Sequence, residues 1–211
     1  MPDSLDPVLL HVRKAYRLLN AYHQRILSTI PKIAERFDKV FLSWDASNYF
    51  KGFKRNKAVF NHYLGLVPLQ HAWFLFRPVG KLPMPGEWLL EVDHVGDSAF
   101  VEAEDDYDPA SLPEPDKAET HISLYAFLVV EGGSGDWDDL WNNSPYPGDE
   151  PEQDVKIAGE TVRQGTSTGC TVWTFGRVWS VADFADEALL LSRCKEFQGL
   201  VDRMAAAARM R

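Results

Sequence analysis

Several runs of strand-forming residues follow one another in the middle of the chain, with no helix between them long enough to connect parallel strands. Polar and apolar residues alternate in 39–45 and 88–92, whereas 71–77 and 121–130 are apolar on both faces. Parallel neighbours need long crossover connections, while antiparallel neighbours need only short turns. The sequence therefore predicts a mainly antiparallel sheet of about five or six strands.

A long helix is predicted at each end of the chain. Asp6 and Pro7 form a typical helix start, because the carboxylate can cap free N–H groups and proline fits the first turn. The first helix has one apolar stripe, made of Leu9, Val12, Tyr16, Leu19, His23, Ile26 and Ile30. The last helix has a second stripe, made of Leu190, Cys194, Phe197, Val201, Met204 and Ala208. The fold class is α+β, and both helices should pack on one face of the sheet.

Residues 155–162 and 170–179 have the pattern of a hairpin pair, joined by a turn at 165–169 that is rich in glycine, serine and threonine. Two acidic excursions, at 104–119 and 131–154, interrupt the strands. The first contains three prolines and almost no apolar residues, which favours an exposed loop, and the second begins with glycines and ends with prolines, which separates it from the strands. We therefore predict a single domain over residues 1–211 with two acidic loops.

Charge is distributed unevenly along the chain. Residues 1–90 carry 13 Lys and Arg against 6 Asp and Glu, whereas residues 91–160 carry 2 against 20, and the net charge is −9. Acidic surfaces accelerate association with basic partners. The pattern favours a non-enzymatic interaction protein, inhibitor-like or immunity-like, whose acidic middle binds a basic protein surface. The alternative is that the acidic residues solvate loops or fold back on the basic first third.

The second acidic excursion contains the residues best suited to bind such a partner. If 136–141 form a helical turn, Trp137 and Trp141 share one face while Asp138 and Asp139 stay in water. Exposed tryptophans flanked by acids are good anchors for a basic partner. The alternative is that both rings cover the protein's own sheet.

A second function class is a metal-assisted phosphodiester or phosphate-ester hydrolase. Glu91, Asp93 and His94 lie together in one predicted strand, and His121 begins another. Strand alternation points Glu91 and Asp93 to the same side, and two carboxylates near an imidazole suit a divalent cation. No lysine stands at an offset that would stabilise developing charge. The alternative is an ordinary solvent face, and we predict no cofactor and no tightly bound metal.

Cations and aromatic rings are interleaved in 49–57, where Lys51, Lys54, Arg55 and Lys57 would suit a phosphate or a nucleic acid. Nucleic-acid-binding domains are usually basic throughout, and this chain is acidic. Docking of this segment on the acidic middle is therefore the favoured interpretation.

The familiar motifs of nucleotide-binding, zinc-protease and serine-hydrolase sites do not occur in the sequence. Cys170 and Cys194 lack the spacing of a disulfide or zinc framework, which predicts free buried thiols and a reducing, cytoplasmic compartment. No apolar run has the length of a membrane span. A third function class is a small-ligand sensor with a pocket between the sheet and the helices.

Overall fold

The computed structural model describes residues 6–46, 71–80, 82–99, 113–133 and 135–210. Within them the strands are β1 (Val40–Ala46), β2 (His71–Arg77), β3 (Trp88–Val95), β4 (His121–Gly132), β5 (Asp154–Ile157), β6 (Glu160–Ser167) and β7 (Cys170–Ser180). The α-helices that lie wholly within these residues are α1 (Asp6–Glu35), α2 (Trp137–Asn142) and α3 (Glu187–Arg209). All strand pairs are antiparallel and the sheet order is β1-β2-β3-β4-β7-β6-β5. The predicted α+β class is confirmed.

The sheet has more strands than predicted because the run at 155–162 is a hairpin in itself. Ala158 and Gly159 both have positive φ, at 49° and 85°, and turn the chain between β5 and β6. Thr168 and Gly169 do the same between β6 and β7, at 49° and 76°. Tight hairpins require such left-handed pairs. Alanine seldom occupies this conformation, so the first turn carries a weak sequence signal.

The terminal helices pack on one face of the sheet. Strand residues of one parity, among them Leu90, Val92 and Leu124, form a single core with the second half of α1 and with α3. The stripe of α3 is buried from Leu190 to Met204. Cys194 lies in this stripe, as expected, and burial raises the pKa of its thiol to about 11.

The first half of α1 differs from its prediction, which buried the whole stripe. Ile26 and Ile30 are buried, but Tyr16 is 56% exposed and Leu9 is 45% exposed. A helix of 30 residues is about 45 Å long, so it extends beyond the sheet that covers its second half. Pro31 lies inside α1, which continues to Glu35 without ending at the proline. None of the helices among the described residues combines the length and hydropathy needed to cross a membrane.

The opposite face of the sheet is covered in part by the second acidic excursion. This segment contains α2, whose Trp137 and Leu140 pack in a smaller core with Leu89, Phe127 and other strand residues. Asp136 caps the helix by accepting a hydrogen bond from the backbone N–H of Asp139 at 2.8 Å. The described part of the excursion is thus an ordered cover for the sheet.

The buried side chain of Arg163 fastens the end of the same segment to β6. Its Nε donates to Asp154 at 2.9 Å, and its guanidinium also contacts Glu150 and Gln153. Arg163 is 1% exposed, so these partners satisfy a cation that could not otherwise remain in the interior.

Candidate ligand-binding pocket

A pocket of about 620 Å³ lies on this second sheet face, next to α2. It is lined by His71, Trp73, Glu91, Asp93, Val95, Ser98, His121, Ser123, Tyr125, Trp141, Tyr146, Pro147, Asp149 and Val178. Strands β2, β3, β4 and β7 supply its floor, and the chain after α2 supplies one wall. The helices lie on the other face, so the pocket is not between the sheet and the helices, where a sensor pocket was expected.

Strand alternation and register bring the polar residues of the floor together. In the sheet Trp73 is opposite Asp93, and Asp93 is opposite Ser123. Val95 lies between His71 on one neighbouring strand and His121 on the other. Side chains of one parity on neighbouring strands share a face. Imidazoles from two strands therefore flank one end of β3 on the pocket side.

Glu91 is the most deeply buried carboxyl group of the pocket, with 3% of the residue exposed. Tyr146 donates a hydrogen bond from its hydroxyl to Oε2 at 2.6 Å, and Trp141 donates from Nε1 to the same oxygen. The pKa of Glu91 is raised to about 8: burial is the main cause, the charge of Asp93 adds to it, and the two hydrogen bonds oppose the rise. Glu91 consequently holds a proton at neutral pH.

The other carboxyl group on the same strand face is paired. Nε2 of His71 lies 2.8 Å from Oδ1 of Asp93, and both side chains are mostly shielded from solvent. The ring centroids of His71 and Trp73 are 5.3 Å apart, and those of Trp73 and Trp141 are 6.1 Å apart. The paired imidazole thus sits at one end of an aromatic wall.

Two buried polar atoms of the pocket residues have no hydrogen-bond partner within the described part of the chain. They are Nε1 of Trp73 and Nδ1 of His121. Buried polar groups in native proteins are nearly always paired with protein, water or a ligand. Both residues line the cavity, although these two atoms are themselves shielded from it.

The predicted hydrolase residues do not all come together. Glu91, Asp93 and His121 line the pocket, but His94 does not. Successive side chains of a strand point to opposite faces, which places His94 on the helix side. There it lies 2.7 Å from the hydroxyl of Tyr22. Burial, followed by the nearby imidazoles of which His23 is the strongest, lowers the pKa of His94 to about 3.

Among the residues that the structure describes, no group of three or more His, Cys, Asp and Glu side chains is arranged to hold a metal ion. Oε2 of Glu91 already accepts two hydrogen bonds, and Asp93 is paired with His71. Both carboxyl groups thus have hydrogen-bonding partners within the protein.

The proposed partner anchors occupy different environments. Trp137 is 1% exposed and its Nε1 donates to the carbonyl of Gly80 at 3.3 Å, so this ring covers the protein's own sheet. Trp141 is half-buried and forms a pocket wall. Asp138 accepts a hydrogen bond from Ser43 at 3.3 Å, while Asp139 is exposed.

The basic loop at 49–57, with Lys51, Lys54, Arg55 and Lys57, lies outside the described residues, and so does most of the first acidic excursion. Cys170 is fully buried in the smaller core and forms no disulfide bond.

Sequence reasoning missed most of the aromatic part of the pocket. The alternation of 71–77 could have placed Trp73 beside His71, and that of 121–130 could have placed Tyr125 beside His121. Tyr146 had no such signal, because it follows α2 in an irregular segment and contacts a residue 55 positions earlier in the chain.

Fold and pocket together define an α+β protein whose antiparallel sheet has one helix-covered face and an acidic, aromatic pocket on the other. The chain belongs to the PM0109 family, whose model matches residues 3–203. It is similar to the uncharacterized protein PM0109 of Pasteurella multocida (strain Pm70). The two are 24% identical over an alignment of length 211 that covers 97% of this chain and 96% of that protein. No solved structure matches the chain. Every residue of the pocket lies within the matched segment.

Proposed function

We propose that this protein binds a small organic molecule with a flat apolar body and a polar head in the pocket on the second sheet face. The cavity of about 620 Å³, whose aromatic walls meet a floor of carboxyl and imidazole groups, is the observation that supports this proposal. Cavities that bind small ligands have volumes of roughly 300–1,000 Å³ and combine apolar walls with a few convergent polar groups.

The composition of the walls supports a flat ligand. Trp73, Tyr125, Trp141 and Tyr146 all line the cavity, and Tyr125 and Tyr146 are in edge-to-face contact at 5.3 Å. Aromatic side chains favour stacked or edge-on contacts with other rings. The polar floor of carboxyl and imidazole groups then orients the head of the ligand.

A substitution at the pocket rim tests the proposal without disturbing the core. Val178 lines the pocket and is 56% exposed, so Val178→Trp should fill the entrance while leaving the sheet intact. Ligand-observed NMR with a panel of single-ring aromatic compounds should detect binding to the parent. We expect at least a tenfold loss of affinity in Val178→Trp, which corresponds to about 1.4 kcal/mol.

Val155→Trp is the matched control, because Val155 is 40% exposed on β5 and does not line the pocket. This variant should bind the panel as the parent does. If no compound binds the parent, or if Val178→Trp binds as well as Val155→Trp, the pocket is not the site and the proposed function is wrong.

The interaction protein expected from the charge pattern remains a second proposal, supported by the exposed carboxylates of the second excursion. Five of them form what we call the acidic surface, namely Glu131, Asp136, Asp139, Glu150 and Glu152. Exposed like charges steer a basic protein partner more than they stabilise the complex. The two buried cysteines form no disulfide bond, which is consistent with a reducing compartment, and we propose the cytoplasm.

Neutralising part of the acidic surface tests this second proposal. Poly-lysine serves as the basic probe, and its affinity should fall in Glu131→Gln/Asp139→Asn/Glu152→Gln at low ionic strength, because exposed charges are poorly screened there. A variant with the same change of charge elsewhere, Glu35→Gln/Glu196→Gln/Asp202→Asn, controls for net charge. Equal weakening in both variants would show that the acidic surface has no special role.

A further inference from the structure

The charged groups around the pocket are almost all of one sign. Three carboxyl groups line it, from Glu91, Asp93 and Asp149, and no lysine or arginine does so among the residues that the structure describes. One of the three is paired with an imidazole, that of His71. A buried cluster of like charges disfavours ionisation of its most buried member unless a cation compensates it.

The aromatic lining favours the same sign of ligand charge. The faces of tryptophan and tyrosine rings attract cations within about 6 Å, most strongly when water is excluded. The ring centroids of Trp73 and Trp141 lie 6.1 Å apart, and both residues line the cavity.

We infer that the pocket selects small organic cations of the amidinium, guanidinium or ammonium class, and that the cation displaces one proton from Glu91 on binding. This inference rests on the proposed function and adds to it the charge of the ligand and the group that recognises that charge. One positive charge enters and one proton leaves to the solvent. The net charge of the buried site is thus the same before and after binding.

The surroundings of Glu91 make this exchange possible. Tyr146 and Trp141 donate hydrogen bonds to its Oε2, and these stabilise the ionised form once the cation is present. Asp93 and Tyr125 face it from the sheet, and burial in the presence of both carboxylates raises the pKa of Tyr125 to about 12. Asp149, His71 and His121 complete the titratable groups around the cavity.

The unliganded state supports the same account. The pKa of Glu91 is raised to about 8, mainly by burial, so the site is protonated before a cation arrives. Because the cation competes with one proton, the affinity increases about tenfold for each unit by which the pH rises toward that pKa. Above the pKa the affinity levels off. A neutral ligand of the same shape has no such dependence.

Benzamidinium, benzamide and benzoate are suitable probes, because they share one shape and differ in charge. Isothermal titration calorimetry of the parent in two buffers of different ionisation enthalpy counts the protons released. Near neutral pH we expect benzamidinium to bind at least tenfold more tightly than benzamide, with release of about one proton. Benzoate should bind least.

Two variants identify the side chain that releases the proton. Glu91→Gln keeps the shape of the side chain and should bind benzamidinium without releasing a proton, with an affinity that no longer rises toward pH 8. His71→Gln/His121→Gln should keep the proton release, because the imidazoles are not its source. If Glu91→Gln does not fold, the pH series of the parent with benzamidinium and benzamide decides the question alone.

The outcomes separate this inference from the function on which it rests. If benzamide or benzoate binds as tightly as benzamidinium, in a manner blocked by Val178→Trp, the pocket binds ligands but does not select cations. If benzamidinium binds without releasing a proton, the exchange at Glu91 is wrong. If none of the three binds, both the cation selectivity and the proposed function lose their support.

Discussion

Replacing Trp137 with alanine is expected to lower the free energy of unfolding by about 3–5 kcal/mol, the usual effect of removing a fully buried tryptophan. The residue is 1% exposed and packs with Leu140 against the strand residues of the smaller core. Its Nε1 also donates to the carbonyl of Gly80, which keeps a second donor, Nη1 of Arg77, in the variant, so lost packing is the main effect. Urea denaturation followed by circular dichroism measures the change.

Two conservative variants separate packing from hydrogen bonding. Trp137→Phe keeps most of the buried ring and should recover more than half of the lost stability. Trp141→Phe removes a donor to Glu91 while keeping a half-buried ring, so its effect on stability should be much smaller. A Trp137→Ala variant as stable as the parent would contradict the packing account and restore Trp137 as a partner anchor.

The sheet was predictable because its pattern is local. The strand runs at 71–77, 88–92 and 121–130 are continuous or alternating apolar sequences, and they appear as β2, β3 and β4. Antiparallel order followed from the absence of crossover helices. The pairing of β4 with β7, which brings residues 121 and 180 together, depends on contacts remote in sequence and was not predictable from any single run.

The extent of burial was harder to predict than the type of structure. The apolar stripe of α1 has one period over its whole length, yet only the half that overlies the sheet is buried. Periodicity shows which face of a helix is apolar, but the size of the opposing surface decides how much of that face is covered. The same limit applies to Trp137, whose burial depends on the path of the chain after β4.

The candidate site was predictable only along its strands. Alternation correctly placed Glu91 and Asp93 on one face, and the same rule, if applied one residue further, would have excluded His94. The partners of Glu91 come from α2 and the segment after it, 50 and 55 residues away. A single sequence has no local signal for such contacts.

The second large effect is a loss of stability as the pH rises from about 4.5 to about 8. Glu91 has an ordinary pKa of 4.5 and a folded-state pKa of about 8, so between these values the folded chain holds a proton that the unfolded chain has lost. A group whose pKa is raised by folding contributes stability that is complete below the unfolded value. That contribution disappears as the pH rises through the folded value. The stabilising contribution of Glu91 should therefore decrease progressively as the pH rises to about 8.

Glu91→Gln removes this dependence because its amide does not ionise. The difference in unfolding free energy between variant and parent should shift in favour of the variant by roughly 4 kcal/mol from about pH 5 to about pH 9. Other titrating groups, such as His94, are common to both proteins and cancel in this difference. Glu131→Gln, at an exposed position, is the matched control and should show almost no pH dependence of the same difference. If this difference were equally independent of pH for Glu91→Gln, the carboxyl group would be ionised at neutral pH in the folded chain. A bound cation would then meet a negative charge already in place instead of displacing a proton.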